Sequence, residues 1–209
     1  MNINDSQVIE TFEQKVAEYA GSKYGVAVSS QTNAVFLCLE LLKLQGHIKE
    51  GDKIEVPKQT YMSVPMTILN VGCTPKFIDD KWSGAYQLKP TNVWDSAVRF
   101  TRDMYVKDSL YCVSFQYKKA LPIGRGGMIL TDSKHEKDLL DMLRFNGRTN
   151  GISQANDYYK VRGWNMYITP EQASRGLTLL TLVPDKNKDI ASWQDYPNVA
   201  RQFDACLFK

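Results

Sequence analysis

Apolar strand-like segments alternate with helix-like segments along most of the chain, and this alternation restricts the possible folds more than any other feature of the sequence. The strand-like segments are residues 24–28, 53–56, 74–78, 92–94, 108–115 and 127–131. The helix-like segments are residues 6–20, 34–44, 61–71, 133–145 and 169–182. This order predicts an α/β layered fold with a mostly parallel sheet. The second helix is apolar around nearly its whole circumference, so we expect it to be buried.

The composition is that of a globular protein and argues against several kinds of function. With 209 residues, the chain is long enough for one large domain or two small ones. A net charge of +3, from 26 basic and 23 acidic side chains, is too mild to indicate binding to nucleic acid or to an anionic membrane. No run of 18 apolar residues is present, and the first residues lack the basic and apolar regions of a signal peptide. We therefore expect a cytoplasmic protein.

The cysteines and histidines do not follow the spacing of a metal site. The four cysteines have no paired spacing, and two of them, Cys38 and Cys112, lie inside apolar runs. This pattern favours buried free thiols in a reducing compartment over disulfides or metal ligands. His47 and His135 are the only histidines, and neither has a second histidine at ligand spacing. We therefore expect no metal and no Ser-His-Asp triad.

Two adjacent lysines follow an apolar strand and precede a glycine-rich turn. The strand at residues 111–115 leads to Lys118 and Lys119, and residues 124–127 then read Gly-Arg-Gly-Gly before the next strand. A lysine against an apolar wall has a lowered pKa and can act as a nucleophile toward a carbonyl group. The alternative is a hairpin with two solvated lysines, which the local pattern alone favours.

Two further strand ends carry polar residues that could bind a ligand. Residues 29–32, Ser-Ser-Gln-Thr, open the buried helix, where free N–H groups would bind a phosphate or where a serine would simply cap the helix. Asp95 follows an apolar strand and needs a partner, either a protonated ring nitrogen or an arginine such as Arg99 or Arg102. Together with a strand-end lysine and an aromatic such as Tyr61, these groups match what pyridoxal phosphate requires.

Seven blocks of sequence, in the same order, resemble the DegT/DnrJ/EryC1/StrS family of sugar aminotransferases. Residues 114–127 fit the family's segment SFHPTKNITTGEGG without a gap. The other blocks are residues 26–34, 56–64, 70–79, 94–97, 144–147 and 163–173. The resemblance implies a three-layer α/β/α fold, the large domain of fold-type-I pyridoxal-phosphate transferases, at residues 1–182. It also implies an internal deletion near residues 80–93 and a largely missing small domain, with residues 183–209 as a short C-terminal tail.

The resemblance assigns roles to individual residues. The ungapped block places Lys119, rather than Lys118, at the position that forms the internal aldimine. The other implied cofactor-binding residues are Gln31 through its backbone, Thr32 and Ser114 at the phosphate, Tyr61 stacked on the ring, Asp95 at the pyridinium nitrogen, and Asn165 at the phosphate of the partner subunit. Lys118, Arg144 and Arg148 are expected at the surface or at an interface. Val98 stands where the family has a Gln or His beside the phenolic oxygen of the cofactor.

The implied function is transfer of an amino group from an amino acid, with glutamate as the expected donor, to a nucleotide-linked keto sugar in a homodimer. Two alternatives remain open on the sequence. One is a protein that binds pyridoxal phosphate with altered or lost catalysis. The other is a non-enzymatic scaffold that assembles with a longer partner.

Overall fold

A computed structural model describes residues 5–208 of the chain. The expectation about a signal peptide rests partly on residues 1–4, which lie outside the described residues, as does Lys209. The helices are α1 Asp5–Ala20, α2 Gln31–Leu44, α3 Ser63–Asn70, α4 Lys134–Arg144 and α5 Pro170–Leu180. The strands are β1 Tyr24–Val28, β2 Lys53–Pro57, β3 Thr74–Ile78, β4 Tyr86–Gln87, β5 Val93–Ser96, β6 Leu110–Ser114 and β7 Gly127–Thr131.

The α/β class is confirmed, and the sheet is mixed where a mostly parallel one was expected. The main sheet has the strand order β1-β7-β6-β5-β4, and only its β5–β6 pair is parallel. β2 and β3 form a separate parallel pair, and a hydrogen bond of 2.7 Å from Glu55 N to Lys89 O joins it to the connection between β4 and β5. The β4–β5 pair is antiparallel because its connection, residues 88–92, is too short for a crossover.

Helix α2 lies at the centre of the molecule, as its apolar circumference predicted. It packs on β1, β5, β6 and β7 and also on α3 and α4. The thiols of Cys38 on α2 and Cys112 on β6 lie 3.6 Å apart, and both residues are free and fully buried. The expectation of buried free thiols at these two positions is therefore confirmed.

Arg144 is buried, so the expectation that it lies at the surface or at an interface is wrong. Its guanidinium forms ion pairs with Glu13 on α1 and with Asp141 on α4, and it donates to Ala27 O on β1 at 2.6 Å. Ala27 N in turn donates to Glu13 Oε1 at 2.8 Å. A buried arginine is stable here because two carboxylates and a carbonyl replace its lost water.

The segment after α5, which the sequence pattern left unassigned, packs against the body of the protein. It contains three short 3₁₀ helices and hydrogen-bonds to residues 58–59, 82–84 and 98–102. None of the helices in the described part of the chain is long and apolar enough to cross a membrane.

Candidate active site

The three predicted strand ends meet at one cavity. Strands β1, β5 and β6 run in the same direction, so their carboxyl ends lie at one edge of the main sheet. The cavity at this edge has a volume of about 740 Å³. Its lining consists of Ser30, Gln31, Thr32, Tyr61, Asp95, Ala97, Ser114, Gln116, Tyr117, Lys118, Lys119, Gly124, Arg125, Gly126 and Tyr196. Ligands of open α/β sheets bind at such an edge.

The N-terminus of α2 forms one end of the cavity. Ser30 caps the helix, because its hydroxyl oxygen accepts a hydrogen bond of 3.1 Å from Asn33 N. The N–H groups of Gln31 and Thr32 belong to the first turn and have no acceptor within the helix. The Thr32 hydroxyl donates to Ser63 Oγ at 3.1 Å. The cap therefore leaves these N–H groups free to bind a phosphate, so the two alternatives derived from the sequence are compatible.

Gly127 allows this helix end to lie directly on β7. A Cβ atom at Gly127 would lie 2.6 Å from Gln31 N and 2.7 Å from Ser30 C, which is far inside van der Waals contact. The absence of a side chain at this one position therefore sets the distance between the helix end and the sheet.

Asp95 lies on β5 at the floor of the cavity and is 5% exposed. Its carboxylate accepts hydrogen bonds of 2.9 Å from Tyr86 Oη and from Ala97 N. Burial raises the pKa of Asp95, and these hydrogen bonds oppose the shift. Within residues 5–208, no Lys, Arg or His nitrogen forms an ion pair with it, so neither Arg99 nor Arg102 is its partner.

The two lysines differ in burial. Lys119 follows a turn closed by its own N–H donating to Gln116 O at 2.8 Å, and its side chain is half-buried. Burial lowers the pKa of Lys119, Asp95 opposes that shift, and the charge of Lys118 adds to it. Lys118 is exposed, with its ammonium 5.5 Å from the ring centre of Tyr117. Burial therefore favours the neutral, nucleophilic amine at Lys119, and its role as the aldimine lysine stays a prediction.

Of the remaining predicted residues, two line the cavity and one does not. Ser114, at the end of β6, is 8% exposed, and Tyr61 is 60% exposed at the mouth. Asn165 is exposed outside the cavity lining, and its backbone pairs with Phe145. Its predicted contribution to a partner subunit therefore stays a prediction.

The residues present fit pyridoxal phosphate. The buried Asp95 carboxylate matches a protonated ring nitrogen, the first turn of α2 matches a phosphate, and Lys119 matches an aldehyde. One observation of the cavity wall supports the fit independently. Gln31 Nε2 is buried and forms no hydrogen bond of standard geometry among the described residues, although its amide lies near enough to Asp95 to favour the charged carboxylate. A bound group would give this nitrogen an acceptor.

Several cavity residues were not identified from the sequence. Tyr86 lies in a stretch that looked irregular, yet it forms the short strand β4 opposite Asp95. Its hydroxyl is also bonded to Thr60 Oγ1 at 2.5 Å. Tyr196 comes from the segment after α5, and Arg125 from the glycine-rich turn. A strand of two residues, such as β4, is too short to show a hydrophobic period in the sequence. The proximity of Tyr196 to Asp95, about 100 positions earlier, has no local sequence pattern either.

Comparisons with known proteins agree with this geometry. The profile of the DegT/DnrJ/EryC1/StrS aminotransferase family matches residues 2–102 and 106–195. Spore coat polysaccharide biosynthesis protein SpsC of Bacillus subtilis (strain 168) is 26% identical over 86% of this chain. GDP-perosamine synthase of Escherichia coli O157:H7 is 26% identical over 85% of it. This chain covers 58% of the length of each of these relatives.

A solved structure shares the fold. The structure of E. coli GDP-4-keto-6-deoxy-D-mannose-3-dehydratase with bound hydrated PLP superposes with a TM-score of 0.69 at 19% identity. The match covers 85% of this chain and 60% of that one. The family profile spans nearly the whole chain, and the cavity holds the lysine and the aspartate at the positions that the sequence blocks indicated. The chain therefore belongs to the DegT/DnrJ/EryC1/StrS aminotransferase family.

Proposed function

We propose that this protein binds pyridoxal phosphate and transfers an amino group from an amino acid, with glutamate as the donor, to a nucleotide-linked keto sugar. The observation that carries the proposal is the meeting of Lys119, Asp95 and the first turn of α2 in one cavity. These groups come from three distant parts of the chain and match three different parts of one cofactor.

Each of these residues has a defined task. The N–H groups at the start of α2, with the hydroxyls of Thr32 and Ser114, bind the phosphate. Asp95 keeps a proton on the ring nitrogen, and Tyr86 and Ala97 N orient its carboxylate. When bound, the cofactor supplies an aldehyde for covalent capture of amines and a ring that withdraws electrons. Lys119 Nζ would hold the cofactor through its aldehyde. The lowered pKa of Lys119 favours the neutral amine, which would take a proton from the substrate carbon that bears the amino group.

The relatives support the class of substrate. One is named for GDP-perosamine synthesis and the other for polysaccharide biosynthesis. The dehydratase, whose structure contains hydrated PLP, shares the fold and is named for a GDP-linked keto sugar. A nucleotide-linked sugar with a keto group is the substrate feature that fits both an aminotransferase and this neighbour.

The first test is covalent attachment of the cofactor. Purified protein is mixed with pyridoxal phosphate, reduced with borohydride, and digested for mass spectrometry. We expect the phosphopyridoxyl group on Lys119, and its loss in Lys119→Ala but not in Lys118→Ala. Absence of the adduct in the wild-type protein would refute the proposal.

The second test is turnover. Glutamate is supplied with GDP- or dTDP-linked 4-keto-6-deoxy sugars, and amino-sugar formation and sugar dehydration are measured separately. Amine transfer supports the proposed reaction. Attachment at Lys119 without any product would instead favour the protein with altered or lost catalysis.

We also propose a homodimer in which Asn165 reaches the phosphate site of the partner. Its exposure, and its position outside the cavity of its own chain, support this assignment. Size-exclusion chromatography with light scattering should give twice the 23.8 kDa chain mass. A monomer that retains bound cofactor would contradict the assignment.

A further inference from the structure

The segment of residues 184–204, here named the strap, is held beside the cavity by a partly buried ion pair between Asp189 and Arg99. Asp189 accepts hydrogen bonds from Arg99 Nε at 2.8 Å and Nη2 at 2.7 Å, and from the Ser83 hydroxyl at 3.1 Å. Gly84 makes room for this carboxylate, since a Cβ there would lie 2.3 Å from its atoms. A bidentate arginine pair in a recess of this shape fixes both the position and the direction of the strap.

Backbone hydrogen bonds then fix the strap on both sides of Tyr196. Before it, Ile190 N donates to Val98 O at 2.9 Å and Trp193 N donates to Trp82 O at 3.1 Å. After it, Val199 N donates to Lys58 O at 2.8 Å. Because both flanks are bonded to the body of the protein, the Tyr196 side chain has a defined place at the cavity rim.

Tyr196 completes an aromatic wall that ends at Asp95. The ring of Trp82 lies 5.5 Å from the ring of Tyr196 and 5.0 Å from that of Tyr86. Tyr86 donates to the Asp95 carboxylate. Tyr196 itself lines the cavity together with Asp95 and Lys119. The wall therefore lies beside Asp95.

The Tyr196 hydroxyl is available as a hydrogen-bond donor. Burial raises the pKa of Tyr196, and the nearby Asp95 charge raises it further, so the phenol is neutral at physiological pH. In the part of the chain that the structure describes, this hydroxyl forms no hydrogen bond. A half-buried donor that faces a cavity is satisfied best by a ligand atom.

We propose that Tyr196 is a cofactor-binding residue, delivered by the strap, whose hydroxyl donates a hydrogen bond to a polar atom at the ring end of pyridoxal phosphate. This inference rests on the proposed function. The start of α2 would hold the phosphate and Asp95 the ring nitrogen, and Tyr196 lines the same cavity close enough to Asp95 to be affected by its charge. The aromatic ring of Tyr196 excludes water from the ring end, and its hydroxyl supplies the donor.

The test measures cofactor affinity without any catalytic assay. Dissociation constants for pyridoxal phosphate are obtained by equilibrium dialysis of the full chain for wild type, Tyr196→Phe and Tyr196→Ala. Loss of one hydrogen bond should weaken binding roughly tenfold in Tyr196→Phe. Loss of the ring as well should weaken it further in Tyr196→Ala. Asp189→Ala, which releases the strap but leaves Tyr196 intact, should also weaken binding.

Asp185→Asn is the matched control. Asp185 also joins the strap to the body of the protein, through an ion pair with Arg102 at 2.6 Å, but this pair is exposed and lies outside the cavity. We expect unchanged affinity. Thermal unfolding of each variant checks that it folds. If Tyr196→Ala does not fold, the test rests on Tyr196→Phe, which keeps the aromatic ring.

The possible failures are distinguishable. Wild-type protein that does not attach the cofactor at Lys119 would refute the proposed function itself. Attachment at Lys119 with equal affinity in wild type and Tyr196→Phe would leave that function standing and overturn the role of the Tyr196 hydroxyl.

Discussion

At the scale of single residues, burial acts on the two principal groups of the cavity in opposite directions. It lowers the pKa of Lys119 and raises the pKa of Asp95, so it disfavours the charged form of both. The two groups belong to one cavity but are not an ion pair within residues 5–208. A ligand with a cationic ring nitrogen near Asp95 and an aldehyde near Lys119 would remove the free-energy cost of burying both charges, because it would pair the carboxylate and convert the amine.

The substitution Asp95→Asn should therefore stabilise the apoprotein while it weakens cofactor binding. The raised pKa means that the protonated carboxyl favours the folded state. That stabilisation is fully present below the unfolded pKa of 3.8 and is lost as the pH rises through the folded pKa. Asparagine stays neutral at every pH. Near pH 7, the unfolding free energy of the Asp95→Asn apoprotein should exceed that of wild type by on the order of 1 kcal/mol. This difference should become smaller toward pH 4.

Urea unfolding of both apoproteins between pH 4 and pH 8 measures this difference. Dialysis with pyridoxal phosphate should show an affinity at least about tenfold lower in the variant, because the ring cation loses its counter-charge. A stability difference that does not change with pH would show that the Asp95 charge is not costly in the empty cavity.

At the scale of elements, the end of α2 depends on a glycine of a different element. In Gly127→Ala, the new methyl group would press on Gln31 N and Ser30 C and move the helix end away from β7. We expect a loss of about 1–3 kcal/mol in unfolding free energy. The affinity for pyridoxal phosphate should also fall relative to that for unphosphorylated pyridoxal, since the phosphate binds at this end.

Gly46→Ala provides the control at the opposite end of α2. A Cβ there meets no atom within 4 Å, but the backbone has a φ of +75°. The variant should lose about 1 kcal/mol of stability and keep the wild-type preference for the phosphorylated form. If Gly127→Ala and Gly46→Ala showed the same preference for pyridoxal phosphate over pyridoxal, the α2 N-terminus would not be the phosphate-binding site.

The buried network around Arg144 joins α1, β1 and α4. In Arg144→Met, the carboxylates of Glu13 and Asp141 would lose their shared cation. Burial already raises the pKa of Glu13, and Arg144 is the largest opposing influence. We expect a loss of about 3–5 kcal/mol, measured by urea unfolding. The exposed Arg175→Met on α5 should change stability by less than about 0.5 kcal/mol, and similar losses in both variants would contradict the network's role.

The elements that the sequence predicted are those with strong local periodicity. Helices α1, α2, α4 and α5 and strands such as β6 and β7 were located to within a few residues, because their apolar spacing records which face is buried. The antiparallel pairs, strand β4 and the burial of Arg144 were not predicted. Each depends on a partner distant in the sequence, and a short strand or a buried arginine has no local pattern of its own.

At the scale of the whole molecule, the motif blocks located Lys119, Asp95 and the α2 turn, but they carried no information about the strap. Its anchors, such as Asp189 with Arg99, join positions 90 apart in sequence. The motif blocks also carried no direct information about how two chains assemble. The position of Asn165 outside its own cavity is a geometric fact, whereas its role in a partner's site requires a test on two chains.

Mixing two inactive variants provides that test. In a two-fold dimer formed from Lys119→Ala and Asn165→Ala chains, one site receives Lys119 from one chain and Asn165 from the other. The second site receives neither. Random pairing should therefore restore about a quarter of all sites to wild-type affinity and to borohydride attachment at Lys119. A mixture of Lys119→Ala with wild-type chains, titrated in parallel, calibrates the amplitude expected for intact sites. If Asn165 acts within its own chain, no high-affinity fraction will appear on mixing. If Asn165 has no part in the site, the Asn165→Ala chains will bind the cofactor with wild-type affinity before they are mixed. The fraction of recovered sites thus decides whether the cofactor site belongs to one chain or to two.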